Sequence, residues 1–237
     1  MALTDQAIAK IKDLIVAGEF APGDRLPKEK ELADRLGLSR NSLREAVRAL
    51  SLVGVLEARQ GDGTYVTSLE PDLLLAGTSF LSDLLTGPTL RELYEVRRIL
   101  EPVATALATP RLTDEDFAAL EQSLVRMDTA ETTQSFIDAD VDFHRVIVNS
   151  CGNATLASLI QNLSGGTLRA RIWRAIHERD AVESTRRLHH DIYRALQMRD
   201  AELAAATDLV HLAAGERWLQ AMSEDGAGVQ PAPSSPS

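Results

Sequence analysis

Residues 26–50, LPKEKELADRLGLSRNSLREAVRAL, decide the fold of the first part of this chain. They predict two short helices joined by a tight turn at Leu36-Gly37-Leu38-Ser39. Leu32, Ala33 and Leu36 share one face of the first helix. In the second, Leu43, Ala46, Val47 and Leu50 recur at i, i+3, i+4 and i+7, an apolar stripe of helical period. Arg40, Asn41, Arg44 and Arg48 fall on the opposite face. Gly37 suits a helix C-terminus, where the left-handed conformation costs least without a Cβ. Ser39 is placed to cap the helix that follows. Two helices, a glycine turn and a cationic outer face on the second helix predict a helix-turn-helix.

The flanking sequence extends that unit. Thr4 to Phe20 predicts a preceding helix with Ile8, Ile11 and Ile15 inward, ended at Gly18 and followed by a turn at Pro22-Gly23. Downstream, residues 55–59 and 64–67 predict strands around Gln60-Gly61-Asp62-Gly63, a β-hairpin. Three helices and a hairpin make a winged helix-turn-helix over residues 1–68. Gly61 at the wing tip would let backbone N–H groups approach a phosphate.

These stretches resemble the GntR family of bacterial transcription regulators from Ile11 to Val66. The chain departs from the family pattern at Lys28 and Lys30, where serine and arginine are more usual. Losing the serine weakens a helix cap, and lysine at 30 keeps a phosphate-seeking charge without the bidentate fork of arginine. The DNA contacts expected are therefore Arg40, Asn41 and Arg44 on base edges, with Lys30, Ser39 and Gly61 on phosphates.

The net charge of −10 argues at first against a nucleic-acid partner. Residues 1–68, however, hold ten Lys/Arg against ten Asp/Glu, so the excess acid lies in the remainder. Local pattern governs phosphate contact. The single Cys151 excludes an internal disulfide and a cysteine metal cluster. Without a run of ~18 apolar residues or a basic-then-apolar leader, a cytoplasmic protein with no membrane partner is expected.

After a linker at 69–72, residues 73–222 predict an all-α helical bundle, so the fold class is mostly α. Helices are expected over 73–85, 89–108 (bent at Pro102), 113–129 and 132–150. Others are expected over 154–178 (interrupted at Gly165-Gly166), 183–198 and 200–222, before a disordered tail at 223–237.

Asp140 and His144, four apart, project from one helix face. His189 and His211 each lie eleven residues from Asp200, the N-cap after a turn at Met198-Arg199-Asp200. In an antiparallel helical hairpin, residues equidistant from the turn face each other, here ~16 Å along the axes. Three imidazoles and a carboxylate would make a mixed metal site within the bundle.

The stretches LYEVRRILEP, DVDFHRVIVNSCGN and LHHDIYRALQMRDAELAAATDLVHL resemble the FCD ligand-binding domain of the FadR-type branch of that family. The resemblance implies Asp140, His144, His189 and His211 as ligands of a divalent transition metal, with Zn, Mn and Ni all compatible. His189 rather than His190 fits the register, because Ile192, Ala195 and Leu196 then align. It further implies a small carboxylate effector, with Arg97 the first choice to bind it and Arg98, Arg169 and Arg171 the alternatives. The expected protein is a homodimeric regulator, a repressor more often than not in this family, on double-stranded DNA with a pseudo-palindromic operator. Rival readings are a metal-dependent enzyme fused to a DNA-binding domain, and a regulator that senses the metal itself. Neither a general base at defined spacing nor a nucleophile motif accompanies the histidines, so no enzyme activity is expected.

Overall fold

The computed structural model describes residues 3–74, 88–178 and 180–224; the side chains of 88, 89, 169 and 222–224 are not described. The chain divides into two compact units, Met1–Phe80 and Leu81–Ser237. The expected tail at 225–237 and most of the helix expected over 73–85 lie outside the described residues.

The first unit contains α1 (Leu3–Val16), α2 (Glu29–Leu36), α3 (Arg40–Leu52), β1 (Leu56–Arg59) and β2 (Gly63–Val66). Gly37 ends α2 in the left-handed conformation at φ 64°, its N–H reaching back to the preceding turn. Ser39 caps α3, its hydroxyl accepting from the Ser42 N–H at 3.0 Å. Lys28 stands at the N-cap of α2 and provides no side-chain cap. The core joins Ile11, Leu32, Leu43, Ala46, Leu50 and Leu56.

Three details differ from the sequence reading. Helix α1 stops at Val16 rather than Phe20, because Gly18 turns left-handed (φ 75°) and Phe20 folds back into the core. Its buried face is Ala7 and Ile11, with Ile8 and Ile15 at the margin. The wing also gains a partner: Leu26 N–H donates to Thr64 O at 2.8 Å, and Val66 N–H to Asp24 O at 2.9 Å. Residues 24–26 thus line β2 on the side away from β1, a pairing too short to give a periodic signal.

The second unit is helical among the described residues: α4 (Pro88–Ala108), α5 (Asp114–Asp128), α6 (Thr133–Asn149), α7 (Ala154–Gly166), α8 (Leu168–His177), α9 (Ala181–Gln197) and α10 (Ala201–Glu224). Helix α4 runs on through Pro102. Capping boxes at Thr113/Asp116 and Thr132/Ser135 start α5 and α6. The break between α7 and α8 falls at Thr167, just after Gly165-Gly166. Asp200 starts α10 by accepting from the Leu203 N–H at 2.9 Å. The turn before it places Arg199 at φ 56°, held there by its bond to Thr109 O and by the Phe117 ring. Phe143, Ile147, Leu120, Met127, Ile160 and Ile192 form the centre of the core.

Two glycines of the first unit give a test of its turns. At Gly37 an added Cβ meets open space, so Gly37→Ala strains only the left-handed backbone, at a cost of about 1 kcal/mol. At Gly54 (φ 75°) the Cβ would also collide with the Leu73 carbonyl. Gly54→Ala should therefore accelerate amide exchange across residues 40–66 more than Gly37→Ala does. Equal acceleration would mean that the Leu73 segment does not pack as described.

Candidate metal centre and DNA-binding surface

Four helical residues converge inside the second unit. Asp140 and His144 come from α6, His189 from α9 and His211 from α10. One ligand atom from each lies within 4.8 Å of all the others. Asp140 and His189 are fully buried. The equidistance of His189 and His211 from Asp200 translates into ring centroids 4.6 Å apart.

Proton positions follow from the partners. His189 Nδ1 lies 2.8 Å from Thr185 O, which can only accept, so Nδ1 carries the hydrogen. In the neutral ring Nε2 then offers a lone pair, and it points within 3.0 Å of Asp140 Oδ1 without a hydrogen-bond partner. His144 Nε2 and His211 Nε2 approach to 3.2 Å. Burial, and then the neighbouring His189, pushes His144 down to about 4; burial, His189 and His144 push His211 well down. Burial alone would raise the Asp140 carboxyl, but Arg171 first and His189 next outweigh it and hold it well below the usual range. The result is two imidazoles held uncharged, His144 and His211, with His189 Nε2 and the Asp140 carboxylate directed at the same point. Acceptors packed this closely are complementary to a cation. A tetrahedral zinc site would separate its ligand atoms by ~3.3 Å, close to the 3.0–3.9 Å among these pairs. The residues fit a divalent transition metal.

The surroundings hold charge that the sequence did not reveal. Arg171, on α8, bonds Asp140 Oδ2 and reaches the Ser164 carbonyl at 3.3 Å. Arg97, on α4, is buried; its Nε lies 2.5 Å from Glu101 and its Nη1 donates to Thr167 Oγ1 at 2.6 Å. Arg97, the first choice for the effector, borders the cavities beside the cluster, and its Nε, Nη1 and Nη2 each already donate one bond within the protein. Arg171 is the arginine that touches the cluster itself. Arg98 instead pairs with Glu216, and the Arg169 side chain lies outside the described residues. Asp208 is a second unforeseen acid. Burial, and then Glu101, raises its carboxyl to about 7 against the Thr105 hydroxyl bond. Glu101, His144 and Asp208 form a second close group, but Arg97 and Ser164 already occupy the Glu101 carboxylate. His190 pairs with Asp128 and His177 stacks on Trp173, both apart from the cluster.

On the first unit, α3 presents Arg40, Asn41, Arg44 and Arg48 to solvent. Arg40, Asn41 and Lys30 make no side-chain bond among the described residues. Arg44 is held by Glu29 at 3.0 Å. The Ser39 hydroxyl is engaged as the α3 cap, 2.8 Å from Ser42 Oγ. At the wing, Gly61 is left-handed at φ 76° and Arg25 bonds the Asp62 carbonyl, fixing the tip.

The Asp140–Arg171 pair is nearly dry, so removing one member strands the other. In metal-free protein, Asp140→Ala is expected to destabilise the second unit by about 3 kcal/mol. Trp173 and Trp218 both lie in that unit and report its unfolding by fluorescence. A loss well under ~1 kcal/mol would show that Arg171 does not depend on this partner.

Residues 3–66 match the family described as bacterial regulatory proteins, gntR family, and residues 92–214 match the FCD domain. The chain is 37% identical over 68% of its length to an uncharacterized HTH-type transcriptional regulator of Mycobacterium tuberculosis, covering 69% of that protein. It is 29% identical over 90% of its length to the HTH-type transcriptional regulator LutR of Bacillus subtilis, covering 99% of it. The galactonate operon transcriptional repressor of Escherichia coli is 26% identical over 92% of the chain and 96% of its own length. Among solved structures, Streptococcus agalactiae GntR superposes with a TM-score of 0.64 at 27% identity, over 91% of this chain and 99% of that one. These relatives are transcriptional regulators rather than enzymes, and no helix among the described residues is long and apolar enough to cross a membrane. With both of its domains matched in their expected order, this chain belongs to the GntR family of DNA-binding transcriptional regulators, in the branch that carries an FCD domain.

Proposed function

We propose that this regulator is a repressor whose operator affinity is set by a small organic acid at a divalent metal, Zn, Mn or Ni, held by Asp140, His144, His189 and His211. The observation that carries this is the convergence of four potential ligand atoms within 4.8 Å, with His189 Nε2 3.0 Å from Asp140 Oδ1. A bound metal would supply an electrophilic position for a carboxylate oxygen. Arg171 orients Asp140 from behind and Thr185 fixes the His189 tautomer, so both ligands are held in place beforehand. The repressor reading is supported by the E. coli relative, a transcriptional repressor of the galactonate operon.

The protein acts as a cytoplasmic homodimer on a pseudo-palindromic operator. In support, Val96, Ile99, Val103 and Leu107 form an exposed apolar stripe along α4, on the face opposite its buried side. A helix apolar on both faces calls for a covering partner, and a second copy supplies one. Residues 69–72 serve as the linker between residues 1–68 and 73–222. The acid can shift operator affinity only by its differential affinity for the arrangements that do and do not bind DNA.

Elemental analysis tests the centre. Wild-type protein should carry about one first-row divalent metal per chain, and His144→Ala should lose it. Absence of metal from both after reconstitution would sink the proposal. The operator face has a separate test: Arg44→Ala should bind its cognate operator roughly tenfold more weakly, with relaxed preference at one base pair. Unchanged binding to operator and scrambled DNA alike would remove α3 from the groove.

A further inference from the structure

The cluster opens onto two cavities of different character. One, bordered by Tyr94, Arg174 and Thr185, has a volume of about 40 Å³, little more than one water molecule at ~30 Å³ each. The other measures about 210 Å³, room for a ligand of roughly seven to ten non-hydrogen atoms. Its ends differ in burial. Arg97, His144 and Arg171 mark a buried polar end, whereas Arg145 and Gln161 are exposed and mark the mouth. Between them the wall is aliphatic: Val141, Val148, Ile160 and Leu168.

Between the arginine end and the mouth, the side-chain donors along that wall are engaged. Ser164 Oγ donates to Glu101 at 3.1 Å, the Gln161 amide donates to Asn149 at 2.7 Å, and Arg145 pairs with Asp142. A hydroxyl entering this space would give up water without a ready partner. A methyl or methylene there gains contact and leaves water. Gly165 lies in the same wall, in the last turn of α7, and a Cβ added there meets no atom within 4 Å. Gly165 is exposed, so the missing side chain leaves the rim of the cavity open at that point.

We infer that the acid recognised here is a short aliphatic monocarboxylate, with or without a 2-hydroxyl, and not a polyhydroxylated sugar acid. Its carboxylate sits at the His144/Arg171 end and its hydrocarbon body lies along Val148, Ile160 and Leu168, beside Gly165. This inference rests on the metal-and-acid reading above and narrows it.

Two acids of equal non-hydrogen size separate the possibilities: 2-hydroxy-4-methylpentanoate, whose body is branched hydrocarbon, and threonate, whose body is hydroxylated. Calorimetric titration of the zinc-loaded full chain should show the first binding at least about tenfold more tightly. Gly165→Leu fills the cavity with a better helix former, so the fold is retained. It should weaken the branched acid about tenfold or more while leaving zinc content and lactate binding unchanged. Threonate binding as tightly as the branched acid would overturn the inference while leaving the metal-and-acid reading intact. Undiminished binding of the branched acid to Gly165→Leu would overturn its placement in this cavity. If the zinc-loaded chain takes none of the three acids, the metal-and-acid reading itself fails and the inference falls with it.

Discussion

The Asp140 carboxylate is the constraint on which the second unit depends. It is buried at the meeting point of α6, α8 and α9, where an unpaired charge would be costly. Arg171 balances it, and Arg97 balances Glu101 beside it. Each of these two buried anions therefore has a buried or nearly buried guanidinium as its partner. That balance lets burial depress His144 and His211, which keeps their lone pairs available. The features that make the cluster competent as a ligand set also hold the bundle together. Arg97 joins α4 to the Thr167 break, and Arg171 joins α8 to α6.

Much of this was legible in the sequence, for identifiable reasons. The helix-turn-helix announces itself through short-range rules: a 3.6-residue apolar stripe, a left-handed glycine and a serine cap. The Asp140–His144 pair is likewise local, and the His189–His211 pairing follows from one turn and the rise of a helix. The FCD resemblance selected His189 over His190, and the structure places His190 against Asp128 instead. Gly18 was legible as the end of α1, but the return of Phe20 into the core after it was not. The short pairing of residues 24–26 with β2 has no period to read.

The charged lining of the site was the least legible part. Arg97 and Glu101 sit four apart on α4, a spacing that usually signals a solvent-exposed pair. Here both are buried, which depends on how α7 and α8 close over them. Arg171 and Asp140 are 31 residues apart and on different helices, so no spacing rule joins them. Asp208 lies one helical turn before His211, and nothing in the local sequence marks it. What makes it unusual is burial beside Glu101, a property of the assembled bundle alone.

The same local-against-global distinction settles how a chain of net charge −10 can serve a polyanion. The Debye length at physiological salt is ~8 Å, so acid distant from the contact surface is largely screened. Two acids border the cationic face of α3, each in an exposed ion pair: Glu29 with Arg44 and Glu45 with Arg48. An exposed ion pair of this kind contributes little, so exchanging Glu29 for a guanine edge asks little of Arg44. Arg44 gives up that weak pair to meet any acceptor, whereas Arg40, which bonds no side chain among the described residues, has no such pair to give up.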